Sequence, residues 1–109
     1  MSLSSHVLDT VRGVPARGVS IRWERRSDGE WEPVAEALTD HDGRVSGWEA
    51  PTTTGVHRLV FGSGAYFAAQ GSTTFYPEVV VVFEVTDADA HHHVPLLLSR
   101  FGYSTYRGS

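Results

Sequence analysis

The run Val79-Val80-Val81-Val82-Phe83 constrains this chain more than any other five residues in it. β-branched and aromatic side chains favour a pleated surface, so Val79 to Val85 reads as a strand. Side chains on a strand alternate between faces. A sheet with one wet face therefore alternates apolar with polar residues, and this run does not. One of its faces can serve a core; the other needs a second cover. In a chain of 109 residues the favoured cover is another subunit. The competing cover is a short helix of the same chain. Leu96-Leu97-Leu98 shows the same excess.

The remaining pattern is strand and turn. Val19, Ile21 and Trp23 alternate with Ser20, Arg22 and Glu24, as on a half-buried strand. Ser27-Asp28-Gly29 marks a hairpin turn, after which Trp31 to Leu38 resumes with Val34 inward. Pro33 makes that second strand an edge or a late starter. Asp42-Gly43 is another tight turn. Val56 to Phe61, Val94 to Leu98 and a short Tyr103 to Tyr106 segment complete the strands, with Val7 and Leu8 a short apolar patch near the start. Gly64 to Gln70 is the one helix the pattern allows, capped by Ser63 and ended by Gly71. Seven or eight short strands at this spacing predict an all-β sandwich. A 12.0 kDa chain suits a single domain, residues 1–109, that exposes about 6,000 Å² when folded.

Absent residue types exclude whole chemistries. No cysteine occurs, so there are no disulfides, thiolate metal sites or cysteine nucleophile. All nine cations are arginine, which removes Schiff-base chemistry and the phosphate-binding lysine. The formal charge is -4, and a nucleic-acid surface needs clustered cations. Even the densest patch, Arg22, Arg25 and Arg26, is interrupted by Glu24. Met1 to Ser5 lacks the basic start of a signal peptide. No apolar run is long enough to cross a bilayer. The expected compartment is the cytoplasm, with no membrane or nucleic-acid partner.

Six histidines remain to be placed, three of them consecutive. On a strand, His91 and His93 point one way and His92 the other. Val94, Leu96 and Leu98 form the natural core set, so His93, Pro95 and Leu97 face outward. By the same arithmetic His6 and Leu8 face away from Val7. His6 and His93 therefore lie on an outer surface that a subunit would cover, where a dehydrated histidine tends to be neutral and can take a proton. A metal would need His91 and His93 plus a third ligand such as His6 or His41. A solvated polar strand end is the simpler account, and no metal is expected. Taken alone, Arg44 is a hairpin residue and Arg107 belongs to a tail, though Tyr103 and Tyr106 make that tail aromatic.

These residues resemble a known family. Ser5-His6-Val7-Leu8-Asp9 with Gly13-Val14-Pro15-Ala16 is similar to the opening of the transthyretin superfamily. Asp42-Gly43-Arg44 and Phe75-Tyr76-Pro77-Glu78 resemble its internal motifs. His91-His92-His93-Val94-Pro95-Leu96-Leu97-Leu98-Ser99, with Tyr103 to Ser109 ending the chain, resembles the signature of the 5-hydroxyisourate hydrolases, transthyretin-related enzymes of urate breakdown. The resemblance covers essentially the whole chain. It implies a transthyretin-like (prealbumin-like) sandwich of two four-stranded sheets and one short helix, assembled as a homotetramer, a dimer of dimers with sites in the channel between dimers. It places catalytic roles on His6, Arg44 and His93 and substrate-binding roles on Tyr106, Arg107, Gly108 and Ser109. Two departures stand out: His92 replaces the usual Tyr, and Arg100 replaces the usual Pro before the tail.

The implied reaction is hydrolysis of 5-hydroxyisourate to 2-oxo-4-hydroxy-4-carboxy-5-ureidoimidazoline. Its needs match the residues. Water attacking a ring carbonyl requires a base, which His6 or His93 can supply. The developing oxyanion requires a cation, which Arg44 or Arg107 can supply while gripping a planar ring. No cofactor is expected. Without cysteine or a Gly-x-Ser-x-Gly elbow, direct water attack is favoured over a covalent intermediate. The alternative is a transthyretin-like carrier of an apolar small molecule. Such carriers resemble the fold but lack the His6, Arg44, His93 combination and the terminal Tyr-Arg-Gly-Ser. A third reading is a metal-dependent hydrolase built on His91 and His93.

Overall fold

The computed structural model describes residues 2–50 and 54–109. Their elements are β1 (Ser2–Asp9), β2 (Val14–Pro15), β3 (Ser20–Ser27), β4 (Glu30–Leu38) and β5 (Arg44–Glu49). Next come β6 (Gly55–Phe61), α1 (Ser63–Ala68), β7 (Val79–Val85), β8 (His91–Leu98) and β9 (Tyr103–Thr105). One sheet has the order β2-β1-β8-β9, with β5 also paired to β1; the other runs β4-β3-β6-β7. β1 and β8 are parallel, while the other pairs are antiparallel. The sandwich is the expected one, with an extra strand, the two-residue β2, in the first sheet. The surface is 6090 Å², the area a single core of this size should leave exposed.

Alternation builds the core. Leu3, Val7, Val94, Leu96 and Leu98 point inward from the first sheet; Ile21, Trp23, Leu59, Phe61, Val79 and Val81 meet them from the second. Burying each such leucine or valine contributes about 1.5–3 kcal/mol. Ser2 and Leu3 are integral to β1, and Leu3 is fully buried; Met1 lies outside the described residues. β4 is an edge strand, as Pro33 requires. There Trp23 pairs with Ala35 and Glu24 with Pro33, leaving Val34 as the extra, half-buried residue of a bulge.

The helix departs from the expected cap. Ser63 does not cap it: Gly62 is the N-cap, without a side-chain bond. Instead Ser63 Oγ donates to the Tyr76 carbonyl at 2.7 Å, and the Pro77 carbonyl accepts the Gly64 N–H at 2.8 Å. A neighbouring loop thus satisfies a donor left free in the first turn. The helix ends at Ala68 with Ala69 as its C-cap, short of the expected Gln70. Gly71, with φ of 70°, closes the turn that follows, its N–H bonding the Ala68 carbonyl and the Ser72 N–H that of Phe67. Tyr66 donates its hydroxyl to Asp9 Oδ2 at 2.7 Å, and Asp9 Oδ1 accepts the Val11 and Arg12 N–H groups. The carboxylate closing β1 is thus buried yet satisfied. Burial, then this bond to Asp9, raises the Tyr66 pKa above the usual phenol value.

The helix leaves the outer face of β7 open. Val80 and Val82 are 38% and 57% exposed, so the proposed intramolecular cover is not made. The cationic patch is partly neutralised: Arg25 pairs with Glu32, and Glu24 with Arg58, whose guanidinium lies 4.2 Å from the Trp31 ring centroid.

Candidate functional site

The site begins at the turn entering β5. Asp40 Oδ1 accepts the N–H groups of Asp42 and Arg44, each at 2.9 Å. The Arg44 N–H is the leading reason the Asp40 carboxyl sits below its ordinary pKa. Gly43 follows with φ of 74°, a left-handed conformation costly for other residues. A Cβ there would also collide with the Val7 carbonyl and come within 3.1 Å of the Ala16 nitrogen. The Val7 N–H bonds the Gly43 carbonyl at 2.8 Å, which clamps the turn onto β1. Arg44 consequently sits in register beside His6.

His6 faces outward on β1, as alternation requires. Its Nε2 lies 2.9 Å from the Asp42 carbonyl. A carbonyl can only accept, so Nε2 carries the proton, and in the neutral ring Nδ1 keeps its lone pair. Arg44 is exposed and makes no ion pair with a described residue.

β8 supplies the second histidine. His93 pairs with Ser4 across the parallel β1–β8 ladder, and its Nδ1 lies 2.7 Å from Ser4 Oγ. Burial lowers the His93 pKa below 6.5; the Arg44 and His91 charges push the same way, as does that of His6, against a hydrogen bond to Ser4. His91 shares the outward face. Its Nδ1 lies 2.6 Å from Ser2 Oγ and its Nε2 2.9 Å from Ser4 Oγ. His92 turns inward, is 6% exposed, and bonds the Ala90 carbonyl through Nδ1. The strand phase read from the sequence is therefore correct.

The tail reaches this face by strand pairing. β9 runs antiparallel to β8, with Leu98 opposite Tyr103 and Leu96 opposite Thr105. Thr105 Oγ1 donates to the Pro95 carbonyl at 2.7 Å, and the Gly108 N–H donates to the His93 carbonyl at 2.9 Å. Gly108 lies so close over His93 that a Cβ would strike the ring. The close approach is to His93 itself, a use of this glycine that composition did not reveal. Arg100 supports the turn before β9. Its guanidinium donates to Thr73, and its carbonyl accepts from Phe75 N–H and Thr74 Oγ1.

His6, Arg44, His93 and Gly108 are thus brought together on the outer face of the first sheet. Tyr106 and Arg107 instead line an adjoining cleft of about 320 Å³, with Val81 to Glu84 and His92 to Val94. Neither His6 nor Arg44 borders that cleft. Ser109 is exposed at its end. The metal reading fares differently: the ligand-type side chains that converge among the described residues are Asp40, His41 and Asp42, all exposed. His91 and His93 do not join His6 or His41 in such a group. His91 shares the face of His93 as strand alternation predicts, whereas Ser4 as the group between the two rings and Asp40 as the residue that orients Arg44 were not foreseen. The period-two series Ser2, Ser4, His6 opposite His91, His93 carried the first signal.

The family model described as HIUase/Transthyretin family matches residues 3–108. The chain belongs to this family. A 5-hydroxyisourate hydrolase from Salmonella dublin is 44% identical, over 98% of this chain and 80% of that protein. The solved structure of Klebsiella pneumoniae 5-hydroxyisourate hydrolase superposes with a TM-score of 0.88 at 34% identity, covering 100% of both chains. Transthyretin from Sparus aurata superposes equally well, with a TM-score of 0.89 at 34% identity over 97% of this chain and 95% of that one. HIUase/Transthyretin family membership accounts for the sandwich. Since a hydrolase and a transthyretin fit the backbone alike, the side chains on the outer face must carry the functional argument.

Proposed function

We propose that this chain is a hydrolase that converts 5-hydroxyisourate to 2-oxo-4-hydroxy-4-carboxy-5-ureidoimidazoline in urate breakdown, acting through residues 1–109 as one domain. The observation that carries the reading is the meeting of His6, Arg44 and His93 on one outer face, against a tail held there by Gly108. The similarity to proteins named as 5-hydroxyisourate hydrolases supports the substrate.

His93 is the proposed base. Its burial, then the Arg44 cation, lower its pKa and so favour the neutral form needed to take a proton from water. Water then attacks the ring carbonyl, and Arg44, free of described ion pairs, stabilises the oxyanion. His6, fixed by the Asp42 carbonyl, presents Nδ1 to the substrate. Tyr106, Arg107, Gly108 and Ser109 are the proposed substrate-binding residues: Gly108 holds the tail over His93, and Arg107 offers paired donors to a planar ring from the adjoining cleft, which His93 also borders. No cofactor enters this scheme.

The proposed assembly is a homotetramer built as a dimer of dimers. The open edges of β7 and β9 and the uncovered Val80 and Val82 support it. The function is tested by generating 5-hydroxyisourate with urate oxidase and following its ultraviolet decay. Added protein should accelerate the decay. An unchanged rate, especially with tight binding of an apolar ligand, would favour the carrier.

A further inference from the structure

Ser4 Oγ touches two imidazoles, His93 Nδ1 at 2.7 Å and His91 Nε2 at 2.9 Å, and His91 Nδ1 continues to Ser2 Oγ at 2.6 Å. Parallel pairing of β1 with β8 creates this line, because Ser2 falls opposite His91 and Ser4 opposite His93. The four side chains share one outward face. A serine hydroxyl has one proton to donate, so the line has two self-consistent polarities. In one, His93 Nδ1–H donates to Ser4, and Ser4 donates to His91 Nε2. In the other, His91 Nε2–H donates to Ser4, and Ser4 donates to His93 Nδ1.

We infer that Ser2, Ser4 and His91 form a switchable proton relay behind His93, with Ser4 and His91 acting as positioning residues for the proposed hydrolysis. The inference rests on that reading of the site. In the first polarity His93 Nε2 has a lone pair and acts as base. As Nε2 takes a proton from the attacking water, the Nδ1 proton moves to Ser4 and the Ser4 proton moves to His91 Nε2. No proton is gained or lost: hydroxide adds to the carbonyl carbon, and the positive charge moves to exposed His91. The line now has its second polarity, with a proton on His93 Nε2. When the ring C–N bond breaks, that proton goes to the departing nitrogen and the relay runs back. One nitrogen thus serves as base and then as acid.

The surroundings explain why charge would leave His93. His6 faces it from β1, Arg44 from β5 and His91 from its own strand, while Gly108 of the tail lies over the ring. An imidazolium at half-buried His93 meets the permanent cation of Arg44; at exposed His91 it meets solvent.

The test compares Ser4→Ala and Ser4→Thr with the unaltered protein in the 5-hydroxyisourate assay. Ser4→Ala should lower kcat about tenfold, the size expected for losing a hydrogen bond to a charged group, with KM little changed. Ser4→Thr keeps the hydroxyl and should restore most of kcat. In mixtures of light and heavy water, the unaltered protein should show a curved rate dependence, the mark of several protons in motion, and Ser4→Ala a linear one. Ser4→Ala with full kcat and an unchanged curve would overturn the relay, as would a Ser4→Thr variant as impaired as Ser4→Ala. Nitrogen-15 spectra of the histidine rings separate this failure from failure of the substrate reading. If the unaltered protein left 5-hydroxyisourate untouched, the substrate would be wrong. Titrations of His91 and His93 that are coupled, and uncoupled by Ser4→Ala, would still support the relay; independent titrations would overturn it.

Discussion

At the scale of single residues, orientation on the strand divides three adjacent histidines into different roles. His6→Ala and His93→Ala should each lower kcat by about a hundredfold or more, the usual size of an acid–base contribution. His92→Ala should leave kcat near its starting value and lower the melting temperature, because His92 is buried among core-facing residues. The pH dependence follows from the lowered His93 pKa. Activity that needs neutral His93 should persist below the ordinary histidine value of about 6.5 and fall on further acidification. Arg44→Ala removes a cationic neighbour, so the midpoint of that fall should move up, measured as kcat against pH. Stability has the same sign. The unfolded chain binds the His93 proton first, so this contribution is present above about pH 6.5 and is lost as pH drops through the lower folded value. Gly108→Ala should displace the His93 ring and cut kcat with little change in melting temperature, since its backbone is not in the left-handed region.

At the scale of elements, short connections place the chemistry. Asp40 holds the turn that delivers Arg44 and the Asp42 carbonyl to His6. Asp40→Ala should therefore raise KM and lower kcat together, while Asp40→Asn, whose amide oxygen still accepts, should recover much of both. Steady-state kinetics on the two variants decides this. Most strands were legible because apolar residues recur at period two: Val19, Ile21, Trp23 and Val94, Leu96, Leu98 fall where alternation puts them. β5 was not legible. Gly47 has φ of 73° and the pairing slips between Leu3 and Ser5, so Val45 and Trp48 lose the even spacing that reveals a strand. The start of β8 was hidden because its first residues are polar and owe their strand form to pairing with β1. The helix start misled because its donors are met by a loop distant in sequence, a contact no local motif encodes. His6, Arg44 and His93 could be nominated from residue type and resemblance. Their meeting depends on the β1–β5 and β1–β8 registers, which a linear sequence does not specify.

At the scale of the whole molecule, β7 and β9 end their sheets with open edges, and the outer face of β7 is apolar and uncovered. Light scattering should give the mass of a homotetramer, and Val82→Glu should weaken assembly by setting a charge on that face. A stable monomer would contradict the assembly and remove the channel in which the outer-face site would lie. The tail ties assembly to chemistry. Ordinary termini tolerate trimming, but this one pairs with β8 and ends against His93. Removing Tyr106 to Ser109 leaves β9 and every core residue in place, so folding and assembly should survive. The most direct measurement follows 5-hydroxyisourate decay with the full-length and truncated proteins, each sized by light scattering in the same samples. The account predicts rapid decay with the full-length tetramer and near-background decay with a truncated tetramer of similar melting temperature. A truncated tetramer as active as the full-length protein would contradict it.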